Sequence, residues 1–153
     1  MEKNERIAET LNDLVEINND RIVGYERAAK ETKEEDADLR SLFHDMADES
    51  RNYLNELKQC VRSAGEEPAK DTTKRGKIYR VWMDMKAAIT GHNRKAILDS
   101  CEYGEDAAQR AYERALEDED LTGETRAIVA EQKTKLRTSH DRIKRLRDSD
   151  PNS

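Results

Sequence analysis

The sequence predicts an all-α protein, a four-helix bundle whose middle connection is a long crossover carrying an additional short helix. Three observations lead there. Apolar residues recur at three- and four-residue spacing, the period of helices that bury one stripe and solvate the rest. Two prolines and six glycines leave long stretches between helix breakers. The phrase Tyr25-Glu26-Arg27-Ala28 returns eighty-seven residues later as Tyr112-Glu113-Arg114-Ala115, so the chain reads as a duplicated helical hairpin.

The first helix is expected over residues 4–32, with Ile7, Leu11, Leu14, Asn18, Ile22, Tyr25 and Ala29 along one face. A short charged turn over 33–38 folds the chain back, so the second helix, 38–63, lies antiparallel to the first. It turns Leu42, Phe43, Met46, Ser50, Tyr53, Leu57 and Val61 inward, and Ala64-Gly65 ends it. A loop containing Pro68 leads to a shorter helix over 75–90, where Ile78, Trp82, Met85 and Ile89 form another stripe. The third long helix, 94–118, buries Ile97, Cys101, Glu105, Ala108, Tyr112 and Ala115. After the turn Thr122-Gly123-Glu124, the fourth, 125–148, presents Ile128, Gln132, Leu136, Ser139, Ile143 and Leu146.

The repeat extends into the second helix of each hairpin. At a shift of eighty-six residues, Arg40 meets Arg126, Leu42 meets Ile128, Phe43 meets Val129 and Leu57 meets Ile143. A 26-residue helix is about 39 Å long at 1.5 Å per residue. The connection between the hairpins is long enough to return along that whole length. An up-down-down-up bundle follows, since an up-down-up-down bundle needs only a short loop there.

The 153 residues suit one domain, 1–148, with 149–153 as a disordered tail. Charged residues make up 41% and hydrophobic residues 35%, a balance that favours disorder unless the apolar residues are ordered into stripes, as they are. The net charge of −6, with basic residues interspersed among acids, argues against nucleic acid as a partner. Arg142, Lys144, Arg145 and Arg147 fall in the last turns of the final helix, where cations complement the dipole. Neither a signal-peptide pattern nor an apolar run of membrane-spanning length is present, so a cytoplasmic protein is expected. Cys60 and Cys101 sit on apolar stripes and read as small buried hydrophobes. Trp82, Met83 and Met85 cannot all face one bundle, which makes the crossover helix a candidate homodimer surface.

Chemistry is suggested by the polar breaks in the stripes. Asn18 and Glu105 each stand seven residues before a tyrosine of the repeated phrase. Folding the first hairpin about its turn sets Asn18 opposite Ser50 to Tyr53, with Glu49 the nearest carboxylate. Folding the second sets Glu105 opposite Arg137 to His140. Phosphate-binding loops, Cys-x-x-Cys and His-Glu-x-x-His are absent. Ser139, His140 and Asp141 cannot form a nucleophile triad, because adjacent helical residues point in different directions.

Asn18-x6-Tyr25 and Glu105-x6-Tyr112 resemble the Glu-x6-Tyr signature of ferritin-like proteins such as bacterioferritin and rubrerythrin. Further segments are similar to a bacterial family of ferritin-like four-helix bundles that carries a domain-of-unknown-function label. They are Glu16-Ile17-Asn18-Asn19-Asp20, Gly24-Tyr25-Glu26, Ala88-Ile89-Thr90-Gly91, Gly104-Glu105-Asp106-Ala107-Ala108 and His140-Asp141-Arg142-Ile143. The resemblance spans nearly the whole chain and implies a ferritin-like bundle without an assigned activity. Di-iron members of the wider fold take a Glu from each of two helices and a Glu-x-x-His from each of the other two. Of those six ligands this sequence keeps Glu105 and His140, with Asn18 replacing the first-helix Glu and Arg137 standing where a carboxylate belongs.

Three arrangements compete. An intact di-iron centre lacks its ligands. A reduced site for iron or manganese could use Glu105, His140, Glu49 and Asn18. The reading favoured here is a buried hydrogen-bond network of Asn18, Tyr25, Tyr53, Glu105, Tyr112, Gln132 and His140, with Arg137 pairing Glu105 and no resident cofactor. In that network Glu105→Gln costs about 1 to 3 kcal/mol. The expected function is correspondingly that of a non-catalytic or stress-related bundle with a degenerate di-metal site. A metal-binding redox or storage protein and a helical interaction module are the alternatives.

Overall fold

The structure, a computed structural model, describes residues 2–70 and 94–149. The helix expected over 75–90, with Trp82, Met83 and Met85, and the tail at 150–153 lie outside the described residues. Four helices form the described molecule: α1 (Lys3–Glu31), α2 (Ala37–Ser63), α3 (Arg94–Leu116) and α4 (Gly123–Asp148), with a 3-10 turn at Glu34–Asp36 between the first two. No strand occurs among the described residues.

The first two helices end where the sequence stops supplying apolar residues at helical spacing and supplies a cap instead. At the end of α1, Thr32 Oγ1 donates to the Ala28 carbonyl at 2.6 Å, and Arg40 Nη2 reaches back to the Thr32 carbonyl at 2.6 Å. At the end of α2, Gly65 takes φ +82°. Its N–H donates to the Arg62 carbonyl at 2.9 Å, and the Glu66 N–H donates to the Val61 carbonyl at 3.2 Å. This is a Schellman closure, and the left-handed residue it needs is the glycine.

Cross-links between helices establish the topology. Arg6 pairs with Asp120, Thr10 with Asp118 and Arg21 with Glu105, so α1 and α3 run antiparallel. Ser139 bonds Glu49 and Gln132 bonds Glu56, so α2 and α4 do as well. Arg94, the first residue of α3, pairs with Asp36 and Asp38 at the start of α2, at 3.0 and 3.2 Å. α2 and α3 therefore begin at the same end of the bundle and run parallel. This is the up-down-down-up order. The chain leaving α2 is clipped to α1 by Asn12, which donates to the Glu67 carbonyl at 3.2 Å and accepts from the Ala69 N–H at 2.8 Å.

A continuous core runs along the bundle through Leu11, Leu14, Phe43, Leu57, Ile97, Leu98 and Leu136, each essentially excluded from solvent. Cys101 is buried and Cys60 partly buried, and both are free thiols. His44 Nδ1 lies 3.6 Å from Glu26, and Asp48 binds Arg51 at 2.6 Å. None of the described helices is long and apolar enough to cross a membrane.

Candidate functional site

Midway along the bundle the apolar core gives way to a polar layer, and its centre is Arg21. The inner face of α1 steps through Leu11, Leu14, Asn18, Arg21, Tyr25 and Ala28 in alternating threes and fours, and all six are fully buried. Ile22, expected inward, is only partly buried. The eighty-seven-residue counterpart of Arg21 is Ala108, so the layer receives this arginine from one hairpin and a methyl group from the other.

Arg21 is held on several sides. Its Nε and Nη2 donate to Glu105 Oε1 at 2.9 and 2.6 Å. Nη1 donates to Ser50 Oγ, and Nη2 stands 3.6 Å from Glu49. The guanidinium carbon lies 5.2 Å from the centre of the Tyr25 ring, and Tyr25 OH donates to the same Glu105 oxygen at 2.6 Å. Burial alone would lower the Arg21 pKa, yet Glu105, Tyr25 and Glu49 hold it above its ordinary value. Burial, followed by Glu105, pushes the Tyr25 phenol well up, which keeps it a donor. Burial also raises Glu49, against the lowering influence of Arg21 and of Ser139, whose hydroxyl donates to it at 3.0 Å.

A second chain of bonds lies alongside. Asn18 Nδ2 donates to Tyr112 OH at 2.9 Å, and Tyr112 OH donates to Gln132 Oε1 at 2.7 Å. Gln132 Nε2 donates onward to the Tyr53 carbonyl at 3.2 Å and to Glu56 at 3.1 Å. The repeated phrases thus exchange contacts: Tyr25 of the first binds the polar residue of the second, Glu105, and Tyr112 of the second binds Asn18 of the first. Burial lifts the Tyr112 and Tyr53 phenols above their usual range.

The structure therefore brings together Asn18, Tyr25, Tyr53, Glu105, Tyr112 and Gln132, with Glu49 at the solvent edge of the layer. It does not bring His140 to Glu105. Neighbouring residues on a helix point about 100° apart, and it is Asp106 that faces His140, with Nε2 2.5 Å from Asp106 Oδ1. Glu102 joins these two, each residue offering a ligand atom within 4.8 Å of the others. Nor does Arg137 pair Glu105: it is exposed and binds Asp141 at 3.3 Å, one turn along its own helix. The residue that sequence reasoning missed is Arg21. Its signal was the strict alternation of threes and fours, which an apolar count overrides in favour of Ile22.

Two hard divalent ions would need several carboxylates aimed at one point. Here the carboxylate at the centre of the layer, Glu105, is bound by a guanidinium and a phenol, and the first-helix position is an amide whose nitrogen is already donated. A fixed positive charge lies where metal charge would have to go. The residues at the centre do not fit iron or manganese.

The sequence matches the family described as Domain of unknown function (DUF2383) over residues 6–118. No curated protein matches it. Among solved structures, a mutant of Mycobacterium smegmatis Dps1 superposes with a TM-score of 0.81 at 15% identity, over 95% of this chain and 97% of that one. At that identity the likeness shows the fold, which is ferritin-like.

Proposed function

This chain belongs to the DUF2383 family, and from that membership and the chemistry of its centre we propose that it is a non-catalytic ferritin-like bundle. Its ancestral metal layer has become an internal guanidinium–carboxylate lock. The observation that carries this reading is Arg21, which has no solvent exposure and is bound to Glu105, Ser50 and Tyr25. A buried ion pair of this kind adds little net stability compared with apolar packing. What it supplies is a unique register: α1 meets α2 at Ser50 and α3 at Glu105, so a slip of α3 strands a charge and a slip of α2 breaks a buried hydrogen bond to the guanidinium.

The test is metal analysis of protein purified without chelator, together with an assay of oxygen-dependent ferrous oxidation. The expected result is no pair of iron or manganese ions per chain and oxidation no faster than in buffer. Two ions per chain, lost in Glu49→Gln and kept in His140→Ala, would overturn the proposal.

A further inference from the structure

The flank of the bundle between α3 and α4 carries chemistry that the central lock does not use. Glu102 and Asp106 stand one helical turn apart on α3, so their carboxylates leave the same face. His140 meets them from α4, and the three offer ligand atoms within 4.8 Å of one another. The imidazole is oriented from behind, because its Nδ1 lies 3.1 Å from Asp141 Oδ1 while Nε2 faces Asp106. A carboxylate on the far nitrogen fixes the ring and strengthens the near nitrogen as a ligand, as it does in metal-bound histidines generally.

Exposure is graded across the group. The side chains of His140 and Glu102 are 12% and 13% exposed, whereas that of Asp106 is 45% exposed. Two donors are thus anchored in the helix interface and the third opens to water, which leaves room for solvent ligands. Cations border the group as well: Arg147 pairs with Glu102 and Arg137 with Asp141. Unlike the fully buried Arg21, Arg147 is partly exposed and also reaches Asp99 at 3.7 Å and Asp148 at 2.8 Å, so a metal ion on Glu102 takes the place of an arginine that keeps two other carboxylates.

We propose that Glu102, Asp106 and His140 bind a single divalent first-row transition-metal ion of the zinc type, on the flank and separate from the Arg21 centre. The imidazole favours such ions over magnesium and calcium, and the two carboxylates disfavour soft monovalent copper. Tetrahedral zinc with bonds of about 2.0 to 2.1 Å sets its ligands about 3.3 Å apart. The 2.5 Å separation of His140 Nε2 and Asp106 Oδ1 has to widen by about 0.8 Å to match that spacing. A change of that size is within the reach of the half-exposed Asp106 side chain.

This inference goes beyond the function proposed above, and the two fail separately. Chelator-stripped full-length protein is titrated calorimetrically with zinc chloride in excess magnesium. One equivalent of zinc binds, with a rise in melting temperature. Asp106→Asn and His140→Ala each weaken binding by roughly tenfold or more, with folding checked by far-ultraviolet circular dichroism. Glu49→Gln, which touches the central layer, leaves the affinity unchanged. The proposal is overturned if no saturable binding occurs up to the millimolar range, if both flank variants bind as the parent does, or if Glu49→Gln abolishes binding.

Discussion

At the scale of single residues, the buried pair of Arg21 and Glu105 decides how the centre responds to mutation. Treated as a neutral hydrogen-bond partner, Glu105 would be worth about 1 to 3 kcal/mol. As the counter-charge of a fully buried guanidinium it carries more, because removing one member strands the other. Arg21→Met and Glu105→Gln are each expected to cost about 3 to 5 kcal/mol in urea unfolding. The double variant Arg21→Met/Glu105→Gln should cost less than the sum of the two, since neither member of the pair is then left charged without the other; strictly additive losses would show the residues to be energetically independent. This pair was half legible in the sequence. Glu105 stands out because it interrupts an apolar stripe before a repeated tyrosine. Arg21 does not, because Ile22 beside it offers a more hydrophobic choice that also keeps helical spacing, four residues after Asn18 and three before Tyr25, and lysines and arginines are seldom fully buried. His140 misled for a related reason: the fold of the second hairpin fixes which turn of α3 it meets, but not whether it meets Glu105 or Asp106.

At the scale of elements, the four described helices were legible to within two residues at either end, since their breakers lie where the apolar periodicity ends. Gly65 shows the reason. A side chain added there would touch nothing within 4 Å, yet the residue sits at φ +82°. Gly65→Ala should therefore cost about 1 kcal/mol through backbone strain alone, read as a shift in the denaturation midpoint at unchanged slope. The ion pairs that tie the start of α3 to the start of α2 were not legible, because Arg94 and its partners Asp36 and Asp38 lie far apart in the chain and on no common apolar stripe. The hydrogen bond from Arg94 holds the Asp38 carboxyl below its ordinary pKa. A depressed folded-state pKa contributes stability that is fully present above the unfolded value, about 3.9, and is lost as pH falls through the folded value. Asp38 is largely exposed, so solvent screening limits the effect to about 0.2 to 1 kcal/mol. Asp38→Asn should accordingly lower stability at neutral pH and leave it unchanged at a pH where the parent carboxyl is protonated; an equal loss at both would assign the effect to something other than charge.

At the scale of the whole molecule, the polar layer joins the two hairpins that the sequence repeat suggests as separate units. Each hairpin has its own short turn and its own apolar stripe, so each could in principle unfold alone. The layer opposes that. Arg21 and Tyr25 of the first hairpin end on Glu105 of the second, and Tyr112 and Gln132 of the second end on Asn18 and Tyr53 of the first. Opening either hairpin alone would expose half of a buried charge pair and leave the other half in an apolar core, which is more costly than opening both. Unfolding should therefore be a single cooperative transition. Near-ultraviolet circular dichroism, sensitive to the packing of Tyr25 and Tyr112, should trace the same urea curve as far-ultraviolet dichroism, which reports all the helices. Arg21→Met should move both curves to lower urea together, because the residue belongs to the interface between the hairpins and not to either one. If the far-ultraviolet curve instead split into two steps, with only one displaced by Arg21→Met, the hairpins would be independent units and the lock would stabilise just one of them.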